Sequence, residues 1–173
     1  MRVFVKGDIH GITNEVKSFC EENKLTTEDV IILLGDTGIN YFGCMGEIER
    51  DIGLKKRLAD IPVTFFIING NLDNKTENTG LYTTDTFFDN EVYVESKFPN
   101  IKVAKDGLIY NINGSKTFVC GGAYSVDKYY RIQMGRNWFS DEQPSDETKQ
   151  LAESNLEKAS WKVDYVLTHT CPI

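Results

Sequence analysis

The chain has 173 residues, enough to bury one substantial core and form a single domain. Its 40% hydrophobic and 26% charged content suits a soluble globular protein. A formal charge of −7 leaves no basic excess for binding a nucleic-acid backbone, while still permitting a local phosphate site.

In chain order, Val3 to Val5 is a short apolar strand, and a helix is expected from Ile12 to Asn23 with Ile12, Val16, Phe19 and Cys20 on one buried face. Val30 to Leu34 is an unbroken apolar run, the pattern of a strand covered on both faces. Glu47 to Ala59 has helical spacing around Ile48, Ile52 and Leu58, interrupted by Gly53, with Lys55-Lys56-Arg57 expected on its solvated side. Val63 to Ile68 is a third buried strand. This βαβαβ order implies a parallel sheet.

Beyond it, Asn74 to Asn90 is rich in Thr, Asn and Asp and reads as a surface excursion. Val92 to Val94, Ile101 to Ala104, Leu108 to Ile112 and Thr117 to Cys120 are expected to form a second, largely antiparallel sheet. Asn113-Gly114 supplies the positive φ values of a type I′ hairpin turn. Gly121 to Asp141 reads as a loop, with Trp138 and Phe139 as its packing anchor. Ser145 then has the chemistry of an N-cap for a helix running to about Ala159, with Leu151, Leu156 and Ala159 facing inward. Tyr165 to Leu167 is a last buried strand.

Four polar strings follow apolar strands: Gly7-Asp8-Ile9-His10-Gly11, Gly35-Asp36-Thr37-Gly38, Gly70-Asn71-Leu72-Asp73 and Thr168-His169-Thr170-Cys171-Pro172. Parallel strands carry ligand-binding groups at their carboxyl ends, so the four can converge. Their Asp, Asn and His donors suit a hydrolytic transition-metal centre. Gly and Asp after a strand are ordinary turn residues singly; the specificity lies in their joint occurrence, in order.

Together these strings resemble the calcineurin-like metallophosphoesterase superfamily across essentially the whole chain. Gly121-Gly122-Ala123 and Ser125-Val126-Asp127-Lys128, with Trp138 and Pro144, are similar to a group of small bacterial members. The resemblance implies an α/β fold of two packed mixed β-sheets flanked by helices, with two divalent metal ions at the strand ends (Mn, Fe or Zn). It assigns Asp8 and His10 to one metal, Asp36 as the bridge, and Asn71 and His169 to the second, with Asp36 and Asn71 at the catalytic centre. The implied reaction is phosphoester hydrolysis, on a phosphorylated small molecule or a phosphoprotein.

Two departures stand out. The third motif usually continues with a His that serves the leaving group, where this chain has Leu72. The final Gly-His-x-His motif is missing, since His10 and His169 are the only histidines. A single domain over residues 1–173, incomplete at its C-terminus, is therefore expected. The alternative from another class is a non-catalytic metal- or phosphate-binding domain of the same fold.

Arg131 and Ser125 are candidate substrate contacts, as a phosphate fork and a hydroxyl donor. No Walker-type, dinucleotide-binding or nucleophile-elbow string is present. Cys20, Cys44, Cys120 and Cys171 form no C-x-x-C pair, which disfavours zinc-ribbon and dithiol chemistry. With no signal-peptide pattern and no apolar stretch of membrane-spanning length, a cytoplasmic location without membrane partners is expected.

Overall fold

A computed structural model of the chain describes residues 1–170; Cys171 and the two residues after it, part of the last polar string, lie outside the described residues. The elements are β1 (Val3–Lys6), α1 (Asn14–Glu22), β2 (Val30–Leu33), α2 (Ile48–Ala59), β3 (Thr64–Ile67), β4 (Thr83–Phe87), β5 (Asn90–Val94), β6 (Ile101–Ala104), β7 (Leu108–Ile112), β8 (Ser115–Cys120), α3 (Lys128–Gln133), α4 (Asp146–Lys158) and β9 (Tyr165–Thr168). They build an α/β fold of two mixed sheets with flanking helices. The larger has the order β1-β2-β3-β6-β5-β4 and the smaller β7-β8-β9. No described helix is long and apolar enough to cross a membrane.

The period of two along a strand explains the layering. Ile31 and Leu33 of β2, with Phe65 and Ile67 of β3, pack against Val16 and Cys20 of α1 and Leu54 and Leu58 of α2. The alternate residues Val30, Ile32 and Phe66 turn the other way, onto Tyr110, Ile112 and Val119 of the smaller sheet. Both faces are covered, so the runs read as continuously apolar.

The four short central strands do not form one sheet. β6 pairs with β3 in parallel, Phe65 opposite Ile101, and β5 and β4 extend that sheet antiparallel. Ile101 and Val103 join the helix-side core while Ala104 joins the inter-sheet core, so β6 has the two-sided burial of a central strand. Among the described residues, only β7, β8 and β9 make the second sheet, β9 parallel to β8.

The expected surface excursion at 74–90 contains β4. Its Thr-rich face is exposed, and its hairpin turns on Phe88 and Asp89 at φ 53° and 63° rather than on a glycine, so neither pattern nor turn signal marks it. The Asn113-Gly114 turn does have both φ values positive, 52° and 85°. Ser145 caps α4 by accepting from the Thr148 N–H at 3.2 Å.

Five other expectations are corrected. Ile12 precedes α1 and is exposed, and Phe19 is only partly covered, edge-on to Phe4. On α4 the inward residue is Ala152, not Leu151: the helix backbone lies close over Gly107, and Asn155 donates to the Gly107 carbonyl, which rotates Leu151 to the surface. Lys55 is buried and paired with Glu95 at 2.8 Å. The Gly121 to Asp141 segment carries α3. Finally, Tyr165 and Val166 are 60% and 59% exposed, because β9 is an edge strand hydrogen-bonded only to β8 among the described residues.

Candidate metal centre

β1, β2 and β3 run parallel, so the loops after them emerge on one side, and β9 delivers its own end to the same place. Backbone bonds lock the first two loops together: His10 N–H donates to the Asp36 carbonyl and Gly11 N–H to that of Thr37, at 2.9 and 3.0 Å. His10 and Asp36 both adopt left-handed backbone, φ 42° and 47°. Such conformations cost a non-glycine residue energy and cluster at functional sites.

Two glycines set the density of the centre. A Cβ on Gly35, whose φ is +100°, would stand 2.5 Å from His169 Nδ1 and 2.8 Å from the Gly70 backbone. One on Gly70 would fall on the Asp36 carboxylate. The loops approach this closely only because neither position carries a side chain.

Asp8, His10 and Asp36 each present a ligand atom, all within 4.8 Å of one another. Asp8 and His10 face solvent, while Asp36 is 4% exposed. Asp36 also belongs to a second group. Its Oδ1 accepts the Leu72 N–H at 2.9 Å and lies 3.5 Å from His169 Nε2, itself 2.8 Å from Asn71 Oδ1.

The protons of this second group can be traced. Leu34 O, a carbonyl, can only accept, so His169 Nδ1 at 2.6 Å is the protonated nitrogen. Asn71 Nδ2 donates to Ser125 Oγ at 2.8 Å, and Ser125 in turn donates to Glu142 Oε2. The amide oxygen of Asn71 is thereby aimed at His169 Nε2. In the neutral imidazole both atoms are lone-pair donors facing one another beside a carboxylate. Only a proton or a cation between them relieves that arrangement. The donor set therefore fits a metal ion.

The remaining candidates from sequence fall in two places. Ser125 is buried at 2% exposure, its N–H and hydroxyl both given to Glu142, so it orients Asn71 and does not face the cleft. Arg131 lines the open cleft that also contains His10 and Asp36, and is anchored by Asp127 at 2.9 Å. Phe139 packs edge-on against Tyr41, in keeping with an anchoring role.

Two acids carried no role from sequence. Asp73 is buried and accepts the Thr37 and Gly38 N–H groups at 3.0 and 2.7 Å, tying the third loop to the second. Burial, with the Asp36 charge adding, pushes its carboxyl up to about 6. Glu142 lies beyond the aromatic loop at 4% exposure, and nothing in local sequence marks it.

Asp36 is thus a buried carboxylate shared by two clusters of Asp, Asn and His donors, at the ends of parallel strands over a two-sheet α/β core, a set that could hold metal. The chain belongs to the calcineurin-like phosphoesterase family, whose model matches residues 1–172. No curated protein matches it.

Proposed function

We propose that this chain is a metal-dependent phosphoester hydrolase working at a two-cation site. Asp8 and His10 would hold one ion, Asn71 and His169 the other, and Asp36 both. The observation that carries the reading is the opposed pair of lone pairs on Asn71 Oδ1 and His169 Nε2, 2.8 Å apart and next to Asp36. Mn²⁺, Fe and Zn²⁺ all suit mixed oxygen and imidazole donors. When bound, such a pair supplies an activated water and neutralises phosphoryl charge.

The chain's own residues orient the substrate and shape the leaving-group side. Asp36 is fixed by the Leu72 N–H, and Asn71 by the Ser125–Glu142 relay. Leu72 lines the cleft where a leaving group would emerge and has no proton to give. Esters with good leaving groups are therefore the preferred substrates, by the ~10²–10⁴-fold that a missing general acid typically costs. A phosphorylated small molecule or phosphoprotein is the substrate class, in the cytoplasm.

Leu72 also favours a second reading, a phosphate-binding domain without turnover. Hydrolysis of 4-nitrophenyl phosphate and of an alkyl phosphate with added Mn²⁺ separates the two. Turnover of the aryl ester with a much slower alkyl ester supports the hydrolase. Comparable rates would contradict the role of Leu72, and metal binding without turnover of either would leave the binding domain.

A further inference from the structure

The open cleft beside Asp36 and His10 has a volume of about 770 Å³, the size of a small-molecule site. Its cationic lining is selective. The sequence contains five arginines, and four of them, Arg50, Arg57, Arg131 and Arg136, line this cleft, joined by none of the lysines. The chain as a whole carries more acid than base, 26 to 19. Arginine in place of lysine matters, because the planar guanidinium meets phosphate oxygens in pairs.

The geometry builds two arginine walls. On α2, Arg50, Gly53, Leu54 and Arg57 are spaced three and four apart, so they share one face. Leu54 leans on the metal-site loops, 3.8 and 3.4 Å from where Gly11 and Gly38 would carry a Cβ. Arg50 and Arg57 thus stand about one turn to either side of that contact, ~4–6 Å along the axis. Gly53 leaves the floor between them without a side chain. The facing wall comes from a segment more than seventy residues away, with Arg131 in α3 and Arg136 just after it.

Two of the four are tied to a carboxylate and two are not, although Arg136 lies 5.3 Å over the Tyr130 ring. Arg50 bonds Glu47 at 2.7 Å and stacks 3.5 Å over Phe42, and Arg131 is held by Asp127. Arg57 and Arg136 have no carboxylate within 4.0 Å among the described residues. The acids in the lining besides Asp36 are Glu47, already paired, and Glu49. The scissile phosphate belongs at the metal-site end, so the unpaired guanidiniums point to a second anionic group on the same molecule.

We propose that the arginine cleft is a second phosphate subsite, and that the substrate is a small phosphoester carrying another phosphate group. This rests on the hydrolase reading for where the first phosphate sits. The test uses fructose 1,6-bisphosphate and fructose 6-phosphate as competitors of 4-nitrophenyl phosphate hydrolysis with Mn²⁺. In the parent the bisphosphate is expected to inhibit at least ten times more tightly. In Arg57→Ala/Arg136→Ala, with its melting temperature checked against the parent, that ratio is expected to fall to within threefold.

Equal inhibition by the two sugars in the parent, or a ratio that survives the double substitution, would overturn the subsite while leaving the hydrolase intact. Absence of nitrophenyl phosphate turnover would instead count against the hydrolase. Calorimetric titration of fructose 1,6-bisphosphate, with metal withheld by a chelator, then decides the subsite alone. Tenfold weaker binding in the double variant supports it, and unchanged binding sinks it. A singly phosphorylated peptide competing as well as the bisphosphate, with the same arginine dependence, would overturn the small-molecule assignment.

Discussion

β1, β2 and β3 present Asp8, Asp36 and Asn71 from one sheet whose inner strand β2 is buried along its whole length, whereas β9 presents His169 from an edge strand whose Tyr165 and Val166 stand well out in solvent. Yet the His169 side chain is only 7% exposed, held by its bond to Leu34 O with Nε2 facing Asn71 Oδ1. Placement of a site residue therefore does not require burial of the strand that carries it. It requires close backbone approach, here through Gly35 and Gly70, and a hydrogen-bond chain that leaves one orientation.

The largest effect is expected at Asp36, the residue shared by both groups of donors. Asp36→Asn is expected to lower Mn²⁺-dependent hydrolysis on the order of 10³-fold, since charge stabilisation at the reacting centre is lost. Val166→Thr on exposed β9 should leave stability within ~0.5 kcal/mol. Steady-state rates and denaturant melts of both variants measure this contrast. A fully active Asp36→Asn would remove the bridge.

Next in size is Gly35→Ala. The new Cβ meets His169 and Gly70 in a backbone region that disfavours side chains, and a cost of about 3 kcal/mol is expected. A melting temperature equal to the parent's would show that the loops can separate without penalty.

Glu142→Gln acts on Asn71 at one remove, through the hydroxyl of Ser125. Groups that orient a metal ligand are typically worth ~10–100-fold in affinity or activity. The expected signature is weaker Mn²⁺ affinity with little change in melting temperature, which a purely structural role for Glu142 would not give.

The smallest effect is a pH dependence set by Asp106. Its carboxylate accepts from the Gly121 N–H and the Asn69 amide, joining the two sheets near the site. Burial raises it above the ordinary carboxylate range. The folded chain then keeps this proton to higher pH than the unfolded chain does. Its stabilising contribution is full below the ordinary range and is lost as pH rises through the raised value. Asp106→Asn should flatten that decline in melts taken between pH 4 and 8.

β2 and β3 were legible because both of their faces are covered, and Asp8, Asp36 and Asn71 because they lie in the loops that follow β1, β2 and β3. His169 was legible because it follows the apolar run of β9 immediately. The exposure of β9 was not, because Tyr165 to Leu167 has the composition of a buried strand and local pattern does not report what lies beside an edge. β4 escaped because an edge strand of Thr and Asp needs no apolar alternation, and because Phe88-Asp89 makes a turn without glycine. Ser125 and Glu142 act on Asn71 through contacts 54 and 17 residues apart in sequence. No local spacing encodes those. Arg57 read as part of a solvated helix side, because the loop with Arg131 and Arg136 that shares its cleft is distant in sequence.

In the proposed site, five side chains from four strand ends would hold two cations through one shared carboxylate. Electron paramagnetic resonance of the protein titrated with Mn²⁺ tests it most directly. Two ions per chain with the spectrum of an exchange-coupled pair are expected, and His169→Ala should leave one uncoupled ion at Asp8, His10 and Asp36. A parent that binds a single ion, or a His169→Ala spectrum identical to the parent's, would contradict the two-cation site.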